Sequence, residues 1–278
     1  MYTVKENSIY IDSSEPFDIK KIAYSGQMFR VKESAEGLDI ISSNKRCLVK
    51  SAGKQVVIEC NQNESDYFIK YFDLESSYLK MNRELAKNKS GQLLKAIEYG
   101  SGLRILNQDY FEALISFIIS SNNNIKRIQK IINALCAELG ENKNDFFAFP
   151  NAESMAARDV KFYEAIGAGY RAPWLLTAAE LVTKTVDLSE LNALPTNELI
   201  KKLQSFNGIG PKVADCIALF AYHRFDVFPV DTWVKKIYND IFGRDASAVK
   251  MRNDFLLYFE DYPGLAQQYL FYYYRSNA

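Results

Sequence analysis

Lys212 and Asp231 are the two residues of this 278-residue chain whose types and settings suggest chemistry. Both lie in FNGIGPKVADCIALFAYHRFDVFPVDTW, from Phe206 to Trp233. Lys212 stands directly behind two glycines and a proline, in the first turn of a helix expected over KVADCIALFAY. A cation there opposes the helix macrodipole by roughly 0.3–1 kcal/mol. A solvated lysine tolerates that cost. A partly desolvated one has its ammonium disfavoured and its pKa lowered, and the freed amine is a nucleophile. Asp231 has an ordinary role open to it, as the N-cap of a helix over WVKKIYNDIF. Beside an amine nucleophile the same carboxylate could orient the amine, relay a proton or stabilise positive charge developing on a sugar ring.

The elements that must hold these two residues are legible around them. ELIKKLQSF has helical spacing, NGIG makes a tight turn, and Pro211 suits the first position of the following helix. Together they form a helix-hairpin-helix at about residues 197–222. Its glycines, Gly208 and Gly210, let the backbone approach a partner closely, and the free N–H groups at the second helix's start can hold a phosphate without a basic side chain. A plain helix-to-helix turn explains the glycines equally well. Further out the period changes. Up to about Phe72, GQMFRV, GLDIISS, RCLVK and KQVVIEC read as short strands parted by turns at SAEG, SNK and SAG, which predicts an antiparallel sheet. From about Leu74 the spacing is helical: Ile125, Ile128, Ile131, Ile132 and Leu135 mark one face. YEAIGAGYRAPWLLTAAELV and LAQQYLFYYYR read as further helices. The fold class is α+β, with a β-rich domain over residues 1–80 and an α-helical domain over residues 81–278, the boundary falling near residues 73–85.

Composition narrows the partners. Net charge is zero, so any polyanion surface must be local, and residues 113–137 supply one in Lys126, Arg127 and Lys130 with no acidic residue. Cys47, Cys60, Cys136 and Cys216 are far apart, with no spacing that suits zinc or an iron–sulfur cluster, so no metal is expected. No apolar run reaches the roughly 20 residues that span a bilayer, and the start lacks a signal pattern. These features predict an intracellular protein, in the cytoplasm or nucleoid of a prokaryote or the nucleus of a eukaryote.

LQSFNGIGPKVADCIALFA followed by VFPVDTW resembles the helix-hairpin-helix and aspartate signature of base-excision DNA glycosylases. It is most similar to the 8-oxoguanine DNA glycosylase/AP lyase branch of the HhH-GPD superfamily. SGQMFRV, YFDLESSY, LISFIISSNNNIKRI, GAGYRA and GLAQQYLF find counterparts in that branch, in order and along nearly the whole chain. The resemblance implies that Lys212 attacks the anomeric carbon of a damaged nucleotide, displaces the base and forms a Schiff base that permits strand cleavage by β-elimination, with Asp231 supporting the step. It implies that the base is first flipped out of the duplex. Asn122 then fills the vacated space, Tyr170 wedges the neighbouring bases, and Arg127 and Arg171 read the orphaned cytosine. It further implies that the Gly26 carbonyl accepts the N–H that oxidation adds to guanine, that Gln267 pairs with the Watson–Crick edge, and that Phe271 and Cys216 sandwich the ring. Asn207, Gly208 and Gly210 would meet the DNA backbone.

Taken singly these residues have plainer readings: the Asn run as a helix cap, Tyr170 in the core, the arginines solvated, and Cys216 and Phe271 as packing. Two positions depart from the family pattern. Trp233 stands where the close eukaryotic-type members carry histidine, and Asn207 replaces a proline common in the hairpin. The single histidine, His223, receives no role. The expectation is a monomeric repair enzyme acting on damaged double-stranded DNA, with no membrane association and no obligate protein partner. It needs no cofactor, although hairpin carbonyls leave room for a monovalent cation. A glycosylase for alkylated bases and a non-catalytic hairpin module are the competing readings.

Overall fold

A computed structural model describes residues 2–52, 55–87 and 91–277. The first part is a six-stranded antiparallel sheet, with β1 (Tyr2–Lys5), β2 (Ser8–Ile11), β3 (Val31–Glu33), β4 (Leu38–Ser42), β5 (Lys45–Ala52) and β6 (Gln55–Cys60) in the order β1-β2-β6-β5-β4-β3. Alternation fixes which face is buried: Leu38, Ile40 and Ser42 point inward along β4 while Asp39 and Ile41 do not. Helices α1 (Ile19–Tyr24) and α2 (Ser65–Tyr71) accompany the sheet. The core between them gathers Ile9, Ile22, Ile40, Val49, Ile58, Phe68 and Phe72.

The remainder is helical: α3 (Tyr78–Ala86), α4 (Gly91–Tyr99), α5 (Tyr110–Ser120), α6 (Ile125–Leu139), α7 (Ala152–Ala156), α8 (Val160–Ala165), α9 (Ala172–Lys184), α10 (Thr196–Leu203), α11 (Pro211–Phe220), α12 (Thr232–Phe242), α13 (Ala248–Phe259) and α14 (Pro263–Ser276). Helix α5 is buried almost all round and packs against α6, α9 and α11. An all-round apolar helix belongs inside a protein, and this one is the centre about which the functional helices are arranged. Among the described residues no helix is long and apolar enough to cross a membrane.

The sheet and helices are joined by polar links at buried places. Arg30 and Glu112 are paired at 3.6 Å with both side chains almost wholly buried. Glu112 also accepts the Ser43 N–H. Burial pushes the Glu112 carboxyl up to about 7, against the pull of Arg30. The Asp18 N–H donates to Gly102 O, and Gln108 Nε2 donates to Gln27 O at 2.7 Å. These ties give the segment after α1 a fixed place against the helices.

Several expected strands need correction. GQMFRV is a loop until Val31, because Gln27 turns inward: its amide donates to Arg104 O (2.8 Å) and accepts from the Leu106 N–H (2.8 Å). The first hairpin, β1–β2, carries too short an apolar pattern to stand out in sequence. Helices α1 and α2 lie within the stretch expected to be strands, with α1 started by the Asp18 side chain, which accepts from Lys20 and Lys21 N–H. Gly53 of the SAG turn and Lys54 of KQVVIEC lie outside the described residues. Ile125 leaves the apolar face predicted for α6: it is 43% exposed at the helix start.

Candidate active site

The hairpin forms as its residue types require. Helix α10 ends at Leu203, Gly208 takes φ +85°, and α11 begins at Pro211. A side chain at Gly208 would collide with the Trp174 ring, so glycine is needed twice over, for its φ and for close packing on α9. Gly210 precedes α11 with no side chain capping the helix. The first-turn N–H groups therefore face outward without an internal acceptor, the arrangement that suits a phosphate. Asn207 and Gly210 are exposed beside them.

Lys212 occupies the second position of α11, half-buried, with Cys216 one turn further on and 4% exposed. The lysine's pKa is raised, not lowered as desolvation at a helix start predicts. The Cys216 sulfur is the largest cause and the Asp231 carboxylate adds to it, outweighing burial. Burial pushes the Cys216 thiol up in turn. In the free protein the lysine is thus an ammonium at neutral pH, and it must lose a proton before it can attack.

Asp231 is the N-cap the sequence suggests: its Oδ1 accepts from Trp233 N (2.9 Å) and Val234 N (3.1 Å). Burial raises its pKa, while those N–H groups and Lys212 act the other way. Capping and chemistry are therefore compatible roles for one carboxylate. The loop that delivers Asp231 is anchored by Phe228, fully buried and stacked on Phe255 (4.3 Å) and Phe259 (5.9 Å). Burying such a ring contributes roughly 1.5–3 kcal/mol, enough to hold the loop's course.

Helix α14 supplies the opposite wall. Gln267 is 4% exposed on it and forms no side-chain hydrogen bond among the described residues; Phe271 lies one turn on. Gly26, at φ +87°, faces this helix, since a Cβ there would lie 3.5 Å from Phe271 Cε1 and 3.3 Å from Arg275 Nη1. The Arg275 guanidinium sits 5.0 Å from the Phe271 ring centre. Helix α12, which Asp231 caps, packs against α14, and the Asp231 carboxylate acts on both Lys212 and Arg275.

The residues expected to meet DNA form an exposed ridge where α5 turns into α6. Only one asparagine of NNN is the cap: Asn124 accepts from Arg127 N (3.0 Å), and Asn123 donates back to Ile119 O (3.0 Å). Asn122 is left exposed at φ +48°, a strained turn position held from below. Tyr170 is 53% exposed, outside the core, and its hydroxyl donates to Ser121 O (3.1 Å). Arg171 is only 1% exposed, with Nε donating to Ser121 O (2.9 Å) and Nη2 to Asn122 O (2.9 Å). Its fork holds the turn from beneath. Arg127 is exposed, with Nη2 on Gly167 O at 3.2 Å. Ser121 Oγ donates to Gly208 O (3.4 Å), joining ridge and hairpin.

Sequence reasoning missed Asp215, Arg252, Gln268 and Arg275 as supporting residues. Asp215, 1% exposed, accepts a fork of hydrogen bonds from Arg252 at 2.6 and 2.8 Å and another from the Phe228 N–H, tying α11 to α13 and to the Asp231 loop. An aspartate inside the apolar run VADCIALF was the available signal. Gln268 and Arg275, which hold the segment before Gly26, gave none. His223 faces Asp73 at 3.4 Å. Among the described residues no group of three or more acidic, histidine or cysteine side chains could hold a metal ion, and the four cysteines are buried and free.

Comparison with known proteins identifies the family. Residues 8–114 match the 8-oxoguanine DNA glycosylase N-terminal domain, and residues 115–259 match the HhH-GPD superfamily of base excision DNA repair proteins. The 8-oxoguanine glycosylase/lyase of Clostridium acetobutylicum, solved with double-stranded DNA containing cytosine opposite 8-oxoG, is 37% identical. It superposes with a TM-score of 0.92 over 100% of this chain and 98% of that one. The N-glycosylase/DNA lyase of Saccharomyces cerevisiae is 33% identical over 234 residues, covering 77% of this chain and 58% of that protein. This chain thus spans a little over half of that curated relative's length. A 3-methyladenine DNA-glycosylase from Archaeoglobus fulgidus shares the fold at a TM-score of 0.79 and 18% identity. The chain belongs to the 8-oxoguanine DNA glycosylase/lyase family within the HhH-GPD superfamily.

Proposed function

We propose that this protein removes 8-oxoguanine from duplex DNA and then cleaves the strand at the resulting site. The observation that carries the reading is the enclosure of one lysine and one aspartate, Lys212 and Asp231, opposite a wall that presents Gly26, Gln267 and Phe271. Duplex DNA meets the hairpin through the α11 N-terminus and the ridge through Asn122, Tyr170 and Arg127. The ridge enters the stack as the damaged nucleotide leaves it. Arg127, and Arg171 once its fork is released from the turn, read the orphaned base.

Inside the pocket the Gly26 carbonyl accepts the N–H that distinguishes the oxidised base from guanine, whose corresponding nitrogen carries a lone pair. Gln267 pairs with the Watson–Crick edge, and Phe271 and Cys216 enclose the ring. Neutral Lys212 Nζ attacks C1′; the bond from C1′ to the base breaks, and the base leaves with the electron pair and takes up a proton. The carboxylate of Asp231 stabilises the positive charge that develops on the sugar. Ring opening gives an imine on Lys212. Loss of a C2′ proton then expels the 3′ phosphate oxygen, and water hydrolyses the imine to return the lysine. Asp231 therefore works without leaving its place as a helix cap.

The test is base release from one duplex sequence carrying 8-oxoguanine opposite cytosine, 3-methyladenine, or undamaged guanine. Release of 8-oxoguanine with strand cleavage supports the reading. Release of only the alkylated base contradicts it.

A further inference from the structure

Two side chains of α14 hold the segment that ends at Gly26. Gln268 Nε2 donates to Ser25 O at 3.0 Å, and Arg275 Nη2 donates to Tyr24 O. Gln268 is 2% exposed. The Arg275 guanidinium also lies over the Phe271 ring and brings Nη1 against Gly26. It has no ion-pair partner within 4 Å among the described residues, and burial lowers its pKa. An unpaired, partly buried guanidinium is costly to keep for packing alone, because a methionine would fill similar space without the charge.

We propose that Arg275 and Gln268 are positioning residues for lesion selectivity, locking the Tyr24–Gly26 backbone to the Phe271 wall so that the Gly26 carbonyl keeps one direction. This rests on the reading that an oxidised purine enters this pocket. An acceptor distinguishes an N–H from a lone pair only while it cannot turn away. A free carbonyl would still bond the lesion, yet would swing aside for guanine and lose the repulsion that excludes it. Selectivity therefore depends on rigidity, and α14 supplies it from the same helix that carries Gln267 and Phe271.

The experiment measures Kd for three duplexes of one sequence, with 8-oxoguanine, guanine or a tetrahydrofuran abasic analogue opposite cytosine, all in a Lys212→Gln background that leaves the lesion uncut. Arg275→Met should reduce the ratio of lesion to guanine affinity about tenfold, and Gln268→Leu should reduce it in the same direction. Binding of the abasic duplex, which has no base to test the carbonyl, should change much less. An unchanged ratio in both variants, or an equal loss on all three duplexes, overturns the clamp. A Lys212→Gln protein with intact positioning residues that does not prefer the lesion overturns the functional reading itself, and so separates the two failures.

Discussion

The Lys212 pocket and the Asn122–Tyr170 ridge, which we propose serve one substrate, are built on opposite physics. In the pocket the working groups are withdrawn from water: Cys216 and Gln267 are each 4% exposed, and burial raises the Asp231 carboxyl. On the ridge the working groups stand out, with Tyr170 53% exposed and Asn122 held at positive φ by the buried Arg171 fork. Covalent chemistry needs a field that water does not screen, and wedging a stack needs a stiff projection. The burial that serves one would defeat the other.

If that contrast is correct, pocket variants lose turnover and ridge variants lose affinity. The largest effect should come from Lys212→Gln, which removes the nucleophile and should lower base release by ~10³-fold or more while the protein still binds the lesion duplex. Single-turnover assays beside anisotropy measurements check this. Asp231→Asn comes next. Asparagine caps a helix as well as aspartate, so the melting temperature should hold while turnover falls by about 10²-fold. The same substitution should move the pH profile. The Asp231 carboxylate favours the Lys212 ammonium, so the wild-type rate rises with pH as the neutral amine grows. Without the carboxylate the rising limb should shift to lower pH.

Arg252→Leu tests the frame that holds the pocket. It leaves the buried Asp215 charge unpaired, and should lower stability by about 3 kcal/mol in urea unfolding. Smallest are the ridge effects. Tyr170→Ala should weaken lesion-duplex binding about tenfold, the worth of one stacking contact, with little change in the rate from the bound state. Equal losses of turnover in ridge and pocket variants would erase the distinction between the two regions.

The sheet, the hairpin and the Asp231 cap were readable because each rests on local pattern: alternation in β4 to β6, two glycines with a proline, and a carboxylate before an amphipathic helix. Gly26–Arg30 misled because Gln27 makes its bonds to Arg104 and Leu106, far along the chain. Lys212 stood out in the sequence for its place in the first turn of α11, but the direction of its pKa was not legible. That depends on Cys216 and Asp231 coming together against it, which spacing along one helix gives for the first and cannot give for the second. Arg171 reads as a solvated or base-reading arginine in sequence and is found beneath the ridge, because the α5–α6 turn leaves carbonyls that need a donor.

Lys212 is proposed as the amine that joins the substrate. Borohydride reduction during reaction with an 8-oxoguanine:cytosine duplex, followed by peptide mapping of the trapped protein, tests it most directly. One covalent adduct is expected, formed with damaged but not undamaged DNA and located on the peptide containing Lys212. An adduct on another amine, or base release with no adduct, would contradict it.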